Sequence, residues 1–140
     1  MDRNWWHVYG GDIRTDAELW TSSHDAARIY DLNYAPAPDE STHGGNSGYQ
    51  AVRLAIDFGC DPIILLGYDM QFQGRRRHWH ADHDETKRVG NPTPDGLKRW
   101  RWRMKMLGER TSARIVNASR SSALKCFPVV TLEDALCGRG

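Results

Sequence analysis

Histidines are concentrated in one short stretch of this 140-residue chain. His78, His80 and His83 lie close together in sequence with Asp82 among them, and imidazole and carboxylate groups are common metal ligands. Histidine also changes charge near neutral pH, so each of the three is a candidate general base. The stretch therefore allows metal binding, catalysis or substrate contact without metal, or a solvated polar loop.

The string His78-Trp79-His80-Ala81-Asp82-His83 resembles the H-x-H-x-D-H signature of the metallo-β-lactamase family, which holds one or two zinc ions. In that family an apolar strand precedes the motif and further histidines follow it. Here arginines precede it and no histidine follows His83. We therefore expect no dinuclear zinc site and assign no metal ligand, while a single ion and a metal-dependent hydrolase stay open as alternatives.

A glycine-rich turn precedes the first strongly periodic segment of the chain. Its residues are His43-Gly44-Gly45-Asn46-Ser47-Gly48, and a helix is expected to begin there. Backbone N–H groups at a helix start, together with the helix dipole, favour a bound phosphate or carboxylate. The alternative is that Asn46 or Ser47 only caps the helix while the glycines form the turn.

Asp69 follows a short apolar run, residues 62–67, that is typical of a buried strand. In open α/β sheets, ligands bind beyond the carboxyl ends of the strands. Asp69 is therefore a candidate for holding a ribose hydroxyl, a metal ion or a catalytic proton. The alternative is an aspartate that only begins a turn.

Basic and aromatic residues alternate in Lys98-Arg99-Trp100-Arg101-Trp102-Arg103, and three arginines also occupy positions 75–77. Such interleaving can bind nucleic acid through stacking and phosphate contacts. In a helix, however, Trp100 and Trp102 point about 200° apart, so we expect Trp100 on the core and the arginines in solvent. With 19 basic and 18 acidic residues, the net charge of +1 does not favour a nucleic-acid partner.

The elements that must position these residues alternate between helix and strand. Helices are expected at residues 23–31, 47–58, 94–110 and 131–136; strands are expected at 62–67, 113–117 and 127–130, with weaker stretches near Leu19 and Asn33. Residues 69–93 form a long loop, which in a compact domain is usually functional or disordered. This order predicts a three-layer α/β domain with a mostly parallel sheet.

The length and composition fit one domain, residues 1–140. No apolar run reaches the roughly 20 residues that a membrane helix needs, and the first residues lack a secretory signal. We therefore expect a cytoplasmic protein without a membrane partner. Two of the three cysteines, Cys60 and Cys126, have apolar neighbours and are expected to be buried.

Several of these motifs together resemble small phage and prophage proteins of a Rossmann-like group. The group holds the motility-associated-factor glycosyltransferase-like and the pterin pyrophosphokinase-like proteins, and its order of elements is also similar to bacterial sialyltransferases that use a CMP-sugar. The resemblance covers residues 41–136, after a peripheral, aromatic-rich segment 1–40. Its motifs are the glycine-rich turn, residues 63–70, the histidine string, Asn91-Pro92, residues 116–119 and residues 122–128.

The resemblance implies a nucleotide or nucleotide-sugar site at the carboxyl edge of the sheet. The residues implied for the nucleotide are His43, Gly44, Gly45, Asn46, Ser47, Gly48 and Asp69. In a glycosyltransferase-like enzyme, a histidine among His78, His80 and His83 is the general base. In the pyrophosphokinase-like alternative, Asp69 and Asp82 hold Mg²⁺ on ATP. A non-catalytic phage accessory protein is the remaining alternative.

Relatives of this kind usually begin with an apolar strand and a Gly-Pro-Ser-Leu-like loop, and this chain matches neither. Trp5-Trp6 aligns instead with a position well inside such a protein. The resemblance therefore predicts a truncated chain without its N-terminal strand, encoded by a bacterial host or prophage. One sheet edge would then be uncovered, and we expect self-association there.

Overall fold

The computed structural model describes residues 3–35, 46–78, 80–84 and 89–138. The helices are α1 (Arg3–Tyr9), α2 (His24–Tyr30), α3 (Ser47–Asp57), α4 (Pro94–Arg110) and α5 (Leu132–Leu136); the strands are β1 (Trp20–Thr21), β2 (Asn33–Tyr34), β3 (Ile63–Leu65) and β4 (Ile115–Asn117). None of the helices in this part of the chain has the length and apolar character needed to cross a bilayer.

A parallel pair of strands, β3 and β4, lies at the centre of the molecule. Ile63 is opposite Ile115, and Leu65 is opposite Asn117. On the other side of β4, Asn117 forms a parallel bridge with Val129, so the expected extended segment at 127–130 adjoins the pair. The predicted mixed α/β class with parallel strands is confirmed. The described residues form two two-stranded sheets, and a wider Rossmann-like sheet stays a prediction.

The hydrophobic core joins α3, α4 and this strand pair. Its buried members are Tyr49, Val52, Ile63, Leu65, Met104, Leu107, Ile115, Leu124 and Phe127. Met104 and Leu107 follow helical spacing on α4, while Ile63 and Leu65 follow the two-residue period of a strand. The apolar residues of each helix and strand therefore lie on one face, and these faces pack together in one core.

Side-chain caps set the helix boundaries close to where the sequence predicts them. Asn46 Oδ1 accepts a hydrogen bond from Tyr49 N at the start of α3, and Thr93 Oγ1 accepts one from Gly96 N at the start of α4. Thr131 caps α5 in the same way, through Asp134 N. After α3, Gly59 has a φ of +73°, a left-handed conformation that glycine adopts at little cost.

The N-terminal residues form a small unit that the sequence patterns only partly predict. Helix α2 is confirmed, but α1 was not expected. Trp6 of α1 is 2% exposed, and its ring stacks on Tyr30 with a centroid distance of 6.4 Å. The weak stretches near Leu19 and Asn33 do form strands, but β1 and β2 pair with each other in parallel and not with β3.

The predicted burial of two cysteines is wrong, because Cys60 and Cys126 are both exposed. Cys126 precedes Phe127, whose ring occupies the core at 6% exposure. Residues 126 and 127 form a bend, which lets the Phe127 ring enter the core while the Cys126 side chain stays at the surface. Cys60 follows the turn that ends α3, with its N–H bonded to the Ala55 carbonyl, and lies at the surface.

Candidate functional site

A cleft of about 690 Å³ opens beyond the carboxyl end of β3. This volume is within the range of small-molecule sites, roughly 300–1,000 Å³. Its lining residues are Asn46, Gly48, Gly67, Tyr68, Asp69, Met70, Gln71, Gln73, Arg76, Arg77, His78, Pro92, Leu97 and Trp100. Four residues predicted from the sequence, Asn46, Gly48, Asp69 and His78, therefore meet in one place.

The start of α3 forms one wall of the cleft. The Oδ1 atom of Asn46 caps α3. Of the two roles that the sequence allowed for this side chain, ligand binding and helix capping, the structure has the capping role. Ser47 is exposed and is not among the lining residues. Three further candidates, His43, Gly44 and Gly45, lie outside the described residues.

Gly48 is needed for a close contact with Tyr68. A Cβ atom on residue 48 would lie 3.1 Å from Tyr68 Cε1 and 3.1 Å from Asn46 Oδ1, both tighter than ordinary contacts. The Tyr68 hydroxyl donates a hydrogen bond of 3.0 Å to the Gly48 carbonyl. Burial raises the pKa of Tyr68, so this hydroxyl stays protonated and able to donate. The absence of a side chain at Gly48 thus allows the Tyr68 ring to pack against the start of α3.

A buried polar network after β4 fixes the backbone of Tyr68. Ser119 Oγ accepts from Tyr68 N at 2.9 Å, and Ser122 Oγ donates to the Tyr68 carbonyl at 2.6 Å. The fully buried Asn117 orients both serines, because its Nδ2 donates to Ser122 Oγ and its Oδ1 accepts from Ser119 N. These positions belong to the motifs of the resemblance, but sequence reasoning did not identify their structural role. The one sequence feature that could have indicated this network is Asn117, an asparagine that directly follows an apolar run.

Asp69 lies in the cleft, half-buried, as the sequence predicts. Its Oδ2 accepts a hydrogen bond of 3.2 Å from Gln73 Nε2, which leaves further acceptor positions on the carboxylate. The next residue, Met70, has a φ of +50°, which is unusual for a non-glycine residue. Arg101 donates to the Met70 carbonyl at 2.7 Å, and this bond holds the turn against α4.

Two arginines bring positive charge to the cleft: Arg76 at the end of a tight turn over residues 73–76, and Arg77 directly after it. Arg77 donates from Nε to Asp82 Oδ2 at 2.9 Å, and this hydrogen bond holds the pKa of Asp82 below its usual value. Asp82 therefore stays ionised and offsets the charge of Arg77. Arg76 is exposed at the cleft, and no described residue forms a salt bridge with it.

The two tryptophans of α4 point in different directions, as helical spacing requires. Trp102 is 61% exposed on the solvent face. The sequence predicts that Trp100 packs on the core. In the structure Trp100 is half-buried and lines the cleft. Its ring therefore offers an aromatic surface to a ligand.

His78, His80 and His83 come together at the rim of this cleft. One ring nitrogen from each residue lies within 4.8 Å of the other two. The ring centroids of His78 and His80 are 4.6 Å apart, and those of His80 and His83 are 5.0 Å apart. His80 is exposed and the other two are half-buried. The sequence assigned no metal ligand here, because arginines precede the histidine string and no histidine follows His83.

Asn91 determines which nitrogen of His78 carries the proton. Its Oδ1 accepts from His83 N at 2.8 Å, and its Nδ2 donates to the His83 carbonyl at 3.1 Å. The same Oδ1 lies 3.1 Å from His78 Nε2, so that nitrogen donates and a neutral His78 ring has its lone pair on Nδ1. His80 Nδ1 likewise faces the Ala81 carbonyl, which leaves the lone pair of its neutral ring on Nε2.

No protein-family model matches this chain, and no curated protein or solved structure gives a significant match to it.

Proposed function

We propose that this protein binds a nucleotide in the cleft beyond β3 and is a nucleotide-dependent transferase, with glycosyl transfer from a nucleotide sugar as its reaction. The observation that carries the proposal is the composition of the cleft. A helix start, the Asp69 carboxylate, the Arg76 guanidinium and the Trp100 ring line one space of ligand size. These groups match the phosphate, ribose and base of a nucleotide.

The phosphates are bound between the start of α3 and Arg76. The first backbone N–H groups of a helix have no partner within it, and the helix dipole attracts an anion. A guanidinium adds charge-assisted hydrogen bonds to phosphate oxygens. This pairing of a helix end with an arginine supports an anionic ligand more strongly than either feature does alone.

The nucleoside is held by Asp69 and Trp100. The Asp69 carboxylate accepts hydrogen bonds from ribose hydroxyls, a role that acidic residues have near strand ends in dinucleotide-binding folds. Trp100 stacks on the base, since aromatic rings pair in offset or edge-to-face arrangements. The parallel β3 and β4 with α4 between them in sequence support a Rossmann-like core, which positions such a ligand at the carboxyl ends of its strands.

His78 is the general base of the reaction in the metal-free protein. It lines the cleft, and its Nδ1 lone pair is directed by the hydrogen bond from Nε2 to Asn91. The acceptor hydroxyl gives its proton to Nδ1 while its oxygen forms a bond to the sugar carbon. The bond from that carbon to the phosphate oxygen breaks, and the nucleotide leaves with the electron pair.

Phosphoryl transfer is less well supported than glycosyl transfer. In the pyrophosphokinase-like alternative, Asp69 and Asp82 both hold Mg²⁺. Arg77 already engages the Asp82 carboxylate, so a cation at Asp82 must displace that ion pair. Transfer of a sugar requires no such displacement.

Titration calorimetry with CMP, UDP and ATP tests the nucleotide site. We expect at least one to bind with a Kd below about 1 mM, and Arg76→Ala to weaken binding about tenfold, the scale of one charge-assisted hydrogen bond. Arg75→Ala is the matched control, because Arg75 is exposed on the same turn but does not line the cleft. Absence of binding by all three nucleotides, or equal effects of the two substitutions, would overturn the proposal.

Turnover of a CMP-sugar or UDP-sugar tests the catalytic step. His78→Gln should abolish transfer while nucleotide binding stays within about twofold of wild type, because the base acts on the acceptor and not on the nucleotide. Nucleotide binding without any turnover of either sugar donor would refute the transferase and favour a non-catalytic nucleotide-binding protein. Gly48→Val is unsuitable for these tests, because a side chain at residue 48 collides with Tyr68.

A further inference from the structure

We propose that His78, His80 and His83 bind one divalent transition-metal ion, with Zn²⁺ as the expected metal, at the rim of the cleft. The observation behind it is the convergence of one ring nitrogen from each histidine to within 4.8 Å of the others. The transferase proposal uses one of these histidines and gives no role to His80 or His83. Their clustering therefore calls for an explanation of its own.

The geometry is close to that of a bound ion. Zinc–nitrogen distances of about 2.0–2.1 Å in a tetrahedron place the ligand nitrogens about 3.4 Å apart. The three nitrogens here lie within 4.8 Å of one another, so metal binding requires side-chain rotation that brings them closer together. His80 is exposed and stacks on His78 with an interplanar angle of 14°.

The hydrogen bonds around the rings prepare two of them as ligands. Metal-binding histidines usually donate their second N–H to an oxygen acceptor, which fixes the tautomer and the ring orientation. His78 Nε2 donates to Asn91 Oδ1, and His80 Nδ1 donates to the Ala81 carbonyl. In these tautomers the lone pairs of the neutral His78 and His80 rings are on Nδ1 and Nε2.

The donor set selects the metal. Three imidazoles suit zinc, copper and nickel, whereas magnesium and calcium take oxygen ligands. The nearby carboxylate of Asp82 is engaged by Arg77. Three protein nitrogens leave a fourth position for water or a ligand atom, as in catalytic and not structural zinc sites.

The position of the site links it to the cleft. His78 belongs to both groups, so the ion lies at the rim of the cleft. The ion uses the His78 lone pair that a general base needs. Bound metal and proton transfer by His78 therefore exclude each other, and the site can be occupied whether or not the transferase proposal holds.

Zinc titration of tag-free protein, with metal analysis of the dialysed sample, tests the site without an activity assay. We expect one Zn²⁺ per chain and at least a tenfold loss of affinity in His80→Ala, since even outer-sphere changes cost about 10–100-fold. His24→Ala is the matched control, because His24 is an exposed histidine outside the group and should leave affinity unchanged.

Co²⁺ gives a second readout. Cobalt bound at this site should show the intense visible absorption of a four-coordinate ion, and His80→Ala should lose it. About two zinc ions per chain, unchanged zinc affinity in His80→Ala, or equal losses in His80→Ala and His24→Ala would each overturn the proposal. Because His80 is exposed, its removal is not expected to unfold the chain, and circular dichroism of the metal-free variants checks this.

Discussion

The side-chain amide of Asn91 holds the backbone of His83 through two hydrogen bonds, accepting from its N–H at 2.8 Å and donating to its carbonyl at 3.1 Å. The same Oδ1 accepts from His78 Nε2 at 3.1 Å. One side chain therefore joins two histidines that the sequence separates by a polar loop. Asn91 is a positioning residue for the histidine group, and it contacts two of its three members.

Replacing Asn91 should weaken zinc binding without removing a ligand. We expect Asn91→Ala to lower zinc affinity about 10–100-fold, the usual cost of losing an outer-sphere partner. Asn91→Asp keeps the acceptor for His78 and the His83 N–H but loses the donor to the His83 carbonyl, so it should bind zinc more tightly than Asn91→Ala. Competition with a fluorescent chelator measures both. Wild-type affinity in Asn91→Ala would show that the amide does not position the ligands.

Tyr68→Phe should destabilise the protein by about 1 kcal/mol. The substitution keeps the ring against Gly48 but removes the hydroxyl that donates to the Gly48 carbonyl, and one such hydrogen bond contributes about 0.5–1.5 kcal/mol. Urea denaturation followed by circular dichroism gives the free energy of unfolding. Tyr34→Phe, on a 43% exposed residue, is the control and should change stability little. Equal values for the two variants would contradict the role of this bond.

Gly108→Ala should destabilise α4 although alanine is the better helix former. Alanine gains about 1 kcal/mol in helix propensity over glycine. A Cβ atom on residue 108, however, would lie 2.7 Å from Cε1 of the buried Phe127 ring, and overpacking of a core costs about 1–3 kcal/mol. We expect a net loss of about 1 kcal/mol by urea denaturation. Lys105→Ala, on the exposed face of the same helix, is the control, and its free energy of unfolding should stay within about 0.5 kcal/mol of wild type. A Gly108→Ala protein more stable than wild type would show that residue 108 is not tightly packed against Phe127.

The isolated protein should self-associate through the strand edge of β3. Within the described residues β3 pairs only with β4, and the neighbouring Leu66 is 55% exposed. An unpaired edge beside exposed apolar surface tends to pair with another chain. Light scattering should show a mass that rises with concentration, and Leu66→Lys should reduce the rise. A constant monomer mass at all concentrations would contradict this expectation.

Local sequence patterns predict most of the helices and strands. Caps such as Ser23, Thr93 and Thr131 use only neighbouring residues, so their hydrogen bonds can be expected from sequence. The apolar runs that become β3 and β4 are equally local. The burial of Trp6 was not predicted, because it depends on contact with Tyr30, which belongs to another helix.

The candidate site was predictable only in part. Asp69 lies in the cleft because it follows an apolar strand whose position the sequence indicates, whereas His78 belongs to the long loop, whose course the sequence does not indicate. Ser119 and Ser122 bond to Tyr68 across more than fifty residues of chain, and Asn91 bonds to His83 across an irregular loop. Such contacts depend on the tertiary fold, and no spacing rule in a single sequence indicates them.

The close approach of Tyr68 to residue 48 has a genetic consequence. The Tyr68 ring lies beside the space that a side chain at residue 48 would fill. The residue at position 48 and the residue at position 68 therefore constrain each other. A smaller residue at position 68 should restore part of what alanine at position 48 costs, although the contact of that Cβ atom with Asn46 Oδ1 at 3.1 Å remains. Selection for second-site suppressors of Gly48→Ala should therefore return replacements of Tyr68, and natural variants should change the two residues together.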